Sequence, residues 1–287
     1  MHVILTNWNR VAMDNPIMNY EPAIRLGFFF GILILISTWE ILAPRRPLVT
    51  SKKSRWFCNL SMVFIDTLAL RLLFPLLATG VAILAEKEGW GLLQRFSLPF
   101  GVKVFLGVAA LDFIIYLQHA MFHGLPTLFR LHMVHHTDLD FDTSTGVRFH
   151  PIEIILSMGI KIAMVAGLGI SFLAVLVFEI LLNATSMFNH GNVRLPGRVD
   201  RVLRLFVVTP EMHRVHHSVI IRETNSNFGF NFPWWDRLLG TYRSQPMAGH
   251  ENMTIGLSHF RNPQELTLLP LLLLPFTGKP GKYPFAR

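Results

Sequence analysis

Apolar residues in this chain gather in long blocks rather than alternating with polar ones, a pattern suited to helices dissolved in hydrocarbon rather than in water. Residues 24–43 form the first block, interrupted only by Arg25 and Glu40 near its ends, and a helix of this length crosses a bilayer core. Residues 57–86, carrying Asp66 and Arg71, predict a second span, and residues 98–117 a third. Residues 152–183 are too many for one upright crossing. With Gly167 and Gly169 near the middle, they predict a hairpin of two helices of about 15 residues, each reaching about 22 Å, that dips into the bilayer and returns. Residues 266–276 are apolar but short and broken by Pro270 and Pro275, which suits an interfacial or packed element. The fold expected is all-α: an integral-membrane helical bundle of about four transmembrane or membrane-dipping helices with a cytoplasmic, histidine-rich helical cap.

Composition agrees with that pattern. Hydrophobic side chains make up 51% and charged ones only 15%, where about a quarter is ordinary for a soluble domain. The net charge of +8 could point to nucleic acid, but Lys and Arg sit in short runs beside apolar blocks, as at a membrane surface, and no nucleic-acid partner is expected. The run Arg45, Arg46, Lys52, Lys53, Arg55 places the loop after the first span in the cytoplasm, so the third span returns the chain there. The single cysteine, Cys58, excludes an internal disulfide and a cysteine-rich metal or iron–sulfur site, and reads as a small buried hydrophobe. Residues 1–21 carry Asn9, Arg10, Asp14 and Asn15 and no continuous apolar run, so no cleavable signal is expected.

The candidate chemistry lies in histidine. Eight of the 13 fall in three tight clusters: His119 and His123; His132, His135 and His136; His213, His216 and His217. Spacings of three and four residues put rings on one face of a helix, so each cluster can aim at a common point. Imidazole suits zinc, copper, iron or nickel, and eight nitrogens exceed the four places of a tetrahedral zinc, so two metals are expected. A set of Glu-x-x-His pairs, the carboxylate-rich alternative, does not appear.

Between Asp112 and Tyr242 the order of motifs resembles the fatty acid hydroxylase/sterol desaturase superfamily of membrane di-iron enzymes. Asp112, Tyr116 and His119-x-x-x-His123 are followed after only eight residues by His132-x-x-His135-His136, and then by Arg148-Phe149-His150-Pro151 and Asn189-His190-Gly191. His213-Arg214-Val215-His216-His217, Asn227-Phe228-Gly229 and the run from Trp235 to Tyr242 complete the likeness. Ala120 departs from it, since the family often has a polar residue there. The resemblance implies nine metal ligands, His119, His123, His132, His135, His136, His190, His213, His216 and His217, holding two non-haem irons. Of these, His190 stands alone and spacing does not nominate it; a core hydrogen bond is its alternative role. The resemblance also implies N-terminal membrane helices in residues 1–100, a catalytic region in 101–245 and a tail in 246–287, forming one structural unit.

The activity so implied is hydroxylation or desaturation of a lipid with O2 and electrons from a separate donor, a ferredoxin, cytochrome or reductase, docking at the basic cytoplasmic face. Asp112, two turns before His119, is expected to accept a proton from a ligand ring, or else to pair with a basic residue at a helix end. His150 either lines the catalytic site or organises the turn before Pro151. Asp138, Asp140 and Asp142 could support ligands or lie in a solvated loop, and Asp236 suits a turn anchor. His2, His250 and His259 read as ordinary surface or packing residues. Two other readings stay open: an acyl-chain desaturase of the other membrane di-iron family, which usually separates its first two boxes more widely, and a metal-binding or transport protein with ligands along a path through the bilayer.

Overall fold

The computed structural model describes residues 16–285, and His2, Asn9, Arg10, Asp14 and Asn15 lie outside the described residues. Seven helices run through the first two thirds: α1 (Pro16–Leu42), α2 (Lys52–Leu73), α3 (Ala78–Glu88), α4 (Phe100–Gly124), α5 (Pro126–His136), α6 (Pro151–Leu168) and α7 (Phe172–Asn189). Six shorter ones follow: α8 (Gly197–Leu203), α9 (Pro210–His216), α10 (Ile221–Thr224), α11 (Trp234–Leu238), α12 (Gly249–Asn252) and α13 (Leu268–Thr277). Among the described residues there is no strand, only two isolated bridges.

Five segments are long and apolar enough to cross a membrane: Asn19–Leu42, Lys52–Arg95, Phe100–Gly124, Pro151–Leu168 and Phe172–Asn189. Their outward faces are greasy. Phe57, Phe64 and Leu72 on α2 and Phe100 and Phe105 on α4 are exposed, while Asn59, Asp66 and Asp112 on the same helices are buried. That inversion fits a hydrocarbon surround, where apolar side chains need no shelter and polar ones must face each other.

Three sequence expectations gain detail. The second span breaks at residues 74–77, where Pro75 has no N–H to donate and α2 gives way to α3. Helix α4 runs past residue 117 to Gly124 and so carries both His119 and His123. The hairpin arms are 18 residues each rather than 15, so each reaches about 27 Å. Its turn falls at Gly169, at φ +67°, and packs backbone to backbone against Gly91, where a Cβ would come within 2.0 Å of the Gly169 nitrogen. The Gln94 side chain donates to the Gly169 carbonyl at 2.8 Å.

Helix α4 packs on α7 and α5, α1 on α7, and α2 and α3 on α6. The apolar element at Leu268–Thr277 packs on α5 and α2 through Leu271 and Leu274 and leaves Leu269 and Leu273 exposed. Beyond it the chain returns to the bundle: Tyr283 donates to the Val219 carbonyl at 2.8 Å, and the Phe285 N–H donates to the His123 carbonyl. The loop after α1 and the start of α2 fold against the same end. Arg55 binds Asp138 at 2.6 Å and Asp142 at 2.7 Å, and the Thr50 and Val49 N–H groups bind Asp140. All three aspartates are buried, so the loop they occupy is not solvated.

Candidate metal centre

His119 and His123 stand one turn apart near the end of α4. Pro126, at the first position of α5, starts a new helix just after Gly124 and folds it back on α4, so His132, His135 and His136 face them. His190 follows the last residue of α7. Thr209 caps α9 by accepting from the Met212 N–H, and α9 delivers His213 and His216, with His217 just past its end. None of the nine rings exposes more than 4% of its surface.

Their nitrogens form two groups. His119, His123, His132, His136 and His216 make one, and His135, His190, His213 and His217 the other; within each, one nitrogen per ring lies within 4.8 Å of every other. Within the first group His119 Nε2 is 3.1 Å from His132 Nε2 and His123 Nε2 3.1 Å from His136 Nε2; within the second His190 Nε2 is 3.2 Å from His135 Nε2 and 3.1 Å from His217 Nε2.

A proton does not explain the approach of His135 to His190. The Nδ1 atom of His119 donates to the Phe228 carbonyl at 2.8 Å, His135 to Arg148 at 3.1 Å, His190 to Ser186 at 2.7 Å and His216 to Ser226 at 2.7 Å. A carbonyl accepts only, so each of these Nδ1 atoms carries the hydrogen. His123 donates likewise to Asn225 Oδ1, whose amide is oriented by its own donation to the Tyr283 carbonyl. Burial, reinforced by neighbouring imidazoles, holds His135, His136, His213, His216 and His217 well below the ordinary histidine range, and burial brings His132 and His190 down to about 3. The rings are therefore neutral near pH 7, and those oriented through Nδ1 turn bare Nε2 lone pairs toward one another in a dry interior. Lone pairs 3.2 Å apart, as in His135 and His190, repel unless a cation lies between them. Two imidazoles at about 2.1 Å from one ion, at right angles, stand about 3 Å apart, so the donor set fits metal in type, protonation and spacing.

Groups behind the rings set their direction. Glu153 Oε1 lies 2.7 Å from His132 Nδ1, a pairing that histidine spacing could not reveal, although a lone acid in the apolar 152–178 stretch was its signal. Arg148 holds the end of α5 through the Val134 carbonyl and the Thr137 hydroxyl, each at 2.8 Å, besides accepting from His135. Asp236 accepts from the Phe228 and Gly229 N–H groups and from Thr241, so it anchors the turn that presents the Phe228 carbonyl to His119.

Asp112 and His150 sit elsewhere than the catalytic reading placed them. The Asp112 carboxylate accepts from the Asn231 and Phe232 N–H groups at 3.2 Å and from Trp235 Nε1 at 2.8 Å, and hydrogen-bonds no histidine ring. The segment from 231 to 235 offers three donors to one buried carboxylate and outcompetes the histidine rings two turns away. His150 caps α6 by accepting the Ile152 N–H at Nδ1 and donates from Nε2 to the Leu272 carbonyl at 3.1 Å. Both of its nitrogens are occupied, because Pro151 makes residue 150 a helix cap. Of the histidines set aside, His250 pairs with Glu211 at 2.8 Å and His259 donates to the Lys279 carbonyl.

A cavity of about 220 Å³ opens beside the first nitrogen group, between α1, α2, α4, α6 and α7. His119 and His132 form part of its wall, and Ile115, Phe122, Val147, Phe149, Leu182 and Phe230 make most of the rest apolar.

Five membrane-length helices beneath a dry cage of nine imidazoles define a multi-pass membrane protein with a polyhistidine centre able to bind metal. Residues 104–241, which hold the whole cage, match the fatty acid hydroxylase family. It is similar to an ornithine lipid hydroxylase of Rhizobium tropici, with 30% identity over 158 residues covering 55% of this chain and 46% of that protein. It is also similar to human alkylglycerol monooxygenase, at 26% over 59% of this chain and 37% of the relative. Rat cholesterol 25-hydroxylase matches at 28% over 46% of this chain and 44% of the relative. The chain thus spans less than half the length of each of these relatives. No solved structure matches it.

Proposed function

We propose that this protein is a membrane-bound, non-haem di-iron oxygenase that oxidises an unactivated C–H bond of a lipid, with hydroxylation the favoured outcome. The observation that carries this reading is that His119 and His132 belong at once to the five-nitrogen group and to the wall of the apolar cavity. A chain lying in that cavity would meet the metal directly. Relatives named hydroxylase or monooxygenase favour insertion of oxygen over desaturation.

Two irons, one held by each histidine group, would supply O2 activation and oxidation of the C–H bond. The protein's own groups orient and exclude. Nδ1 hydrogen bonds keep each Nε2 aimed inward, the Glu153 carboxylate sits behind His132, and Phe122, Phe149 and Phe230 keep water from the oxidation site while offering an apolar surface to the lipid. The side is read from charge: Arg45, Arg46, Lys52, Lys53 and Arg55 lie at the histidine end, and the positive-inside rule puts that end in the cytoplasm. A ferredoxin, cytochrome or reductase would deliver electrons from there. Arg45 and Arg55 are engaged in internal ion pairs, which leaves the exposed Lys53 to meet an acidic partner.

Metal analysis and turnover of the detergent-purified protein test the proposal. Expected are about two irons per chain, the number the two groups would hold, and a lipid product that gains labelled oxygen from O2 only when a reductant is supplied. Loss of two hydrogens would mark desaturation instead. Zinc content with ion flux and no O2-dependent product would overturn the reading in favour of a transporter.

A further inference from the structure

Asp66 lies eleven residues beyond Arg55 on α2, about 16 Å further from the histidine-side end of that helix. It exposes only 7% of its surface, lines the cavity, and has no hydrogen-bond or ion-pair partner among the described residues. Elsewhere in the bundle buried acids are paired, as Glu179 is with Lys161 at 2.6 Å and with Arg25 at 2.8 Å. The same wall carries Glu153, whose second oxygen, Oε2, is also without a partner, and Gln118, whose Oε1 is likewise free.

The hydroxyls around the cavity do not complement these acceptors. Thr67 donates to the Val63 carbonyl at 2.8 Å and Ser186 to the Gly146 carbonyl at 2.6 Å, while the Asn183 amide donates to the Glu179 backbone carbonyl at 2.8 Å. Ser157 and the Gln118 amide are what remain on the protein side, and neither bonds Asp66. An apolar chain alone in this cavity would leave the Asp66 carboxyl group and the second oxygen of Glu153 without a partner against hydrocarbon, a penalty for buried polar groups.

We infer that Asp66 is a specificity-determining residue: it receives a hydrogen-bond donor, a hydroxyl or a protonated nitrogen, carried by the part of the lipid that enters the cavity. This rests on the lipid oxygenase reading and narrows its substrate class to lipids bearing such a group close to the oxidised carbon. A site built around a donor rejects the analogue that lacks it, because the site's own acceptors are then buried unpaired.

Binding tests this without turnover. Displacement of radiolabelled hexadecan-1-ol from the detergent-purified, metal-loaded protein is measured with hexadecan-1-ol, hexadecylamine, methyl hexadecyl ether and hexadecane. The wild type is expected to bind the alcohol or the amine about tenfold or more tighter than the ether and the alkane. An amine-led preference identifies protonated nitrogen as the donor, and an alcohol-led one identifies hydroxyl. Asp66→Leu should abolish the preference; Asp66→Asn, which keeps size and polarity, should weaken it, most for the amine, and serves if the leucine variant does not fold. Equal binding of all four probes by the wild type, or a preference unchanged in both variants, overturns the inference. Equal binding with O2-dependent product sinks the role of Asp66 alone, whereas a donor preference without any O2-dependent product sinks the oxygenase reading alone.

Discussion

His135 and His190 hold their Nε2 atoms 3.2 Å apart although each has already given its Nδ1 hydrogen to a backbone carbonyl, of Arg148 and Ser186. Neither nitrogen has a proton for the other, and burial keeps both rings neutral. A cation bound between the two nitrogens would relieve the repulsion of their lone pairs.

His190→Ala should therefore hold about one metal ion fewer per chain, since it reduces the smaller group to three imidazoles. It should also lose much of the metal-dependent rise in Tm, a gain of about 2.7 kcal/mol for one site when free metal is 100-fold above Kd. Elemental analysis and melting with and without metal check both, and an unchanged metal count would remove His190 from the ligand set.

Glu153 and Asp112 should fail differently. Glu153 touches a ring, so Glu153→Gln should lower metal affinity or turnover about 10–100-fold with little loss of stability. Asp112 anchors backbone, so Asp112→Asn leaves a donor facing donors and should lower stability by about 1–3 kcal/mol while the folded fraction keeps its metal. Denaturant melts beside metal titrations separate the two, and the reverse pattern would exchange their roles.

What could be read from the sequence follows from what each signal encodes. Apolar block length states how far a helix can reach, so the spans and the Gly169 turn were legible, while the break before α3 needed the contact that α2 and α3 share with α6. Three- and four-residue spacing named eight ring positions, because one helix face carries each cluster. That His190 joins the other rings was legible only through resemblance, since it stands at the end of a different helix. Glu153, the Phe228 and Ser226 carbonyls and the burial of Asp138 depend on segments that meet only after folding. Spacing along one helix likewise misplaced Asp112, because it could not show the three donors arriving from residues 231–235.

Arg55 should be the most sensitive charged residue outside the cage. Burial alone would raise the Asp138 carboxyl, but the Arg55 guanidinium more than offsets this and holds it below the ordinary carboxylate range. A depressed folded value means the stabilisation is complete above about pH 4 and is lost as pH falls below that. Arg55→Ala strands two buried carboxylates and should cost about 3–5 kcal/mol, measured by denaturant unfolding at pH 7. The difference between variant and wild type should shrink in acid, and a constant difference down to about pH 2 would deny Asp138 that role.

Ile154→Trp should separate binding from metal. Ile154 lines the cavity from α6, one residue beyond Glu153, and an indole there takes up space the lipid would use. The variant should keep the wild-type metal content and lose most lipid turnover, with shorter-chain substrates affected least. Loss of metal together with turnover would show that the change reached the histidines through Glu153 rather than the cavity.

Gly146 tests how closely the scaffold is fitted around the smaller nitrogen group. A Cβ at this position would stand 2.4 Å from the Ser186 carbonyl oxygen, the atom that orients His190, and 3.1 Å from His190 Nδ1 itself. Ser186 in turn donates to the Gly146 carbonyl at 2.6 Å, so the loop before α6 and the end of α7 cannot part without breaking that bond. Gly146→Ala must shift α7 or turn the His190 ring, and either movement spoils the group of His135, His190, His213 and His217 while leaving the five-nitrogen group's own hydrogen bonds intact. The expected result is a protein that still inserts in the membrane but binds one metal at least about tenfold more weakly, as disturbance behind a ligand typically does. Stepwise metal titration followed spectroscopically measures this, and two undisturbed binding steps would show that the contact is looser than the geometry states.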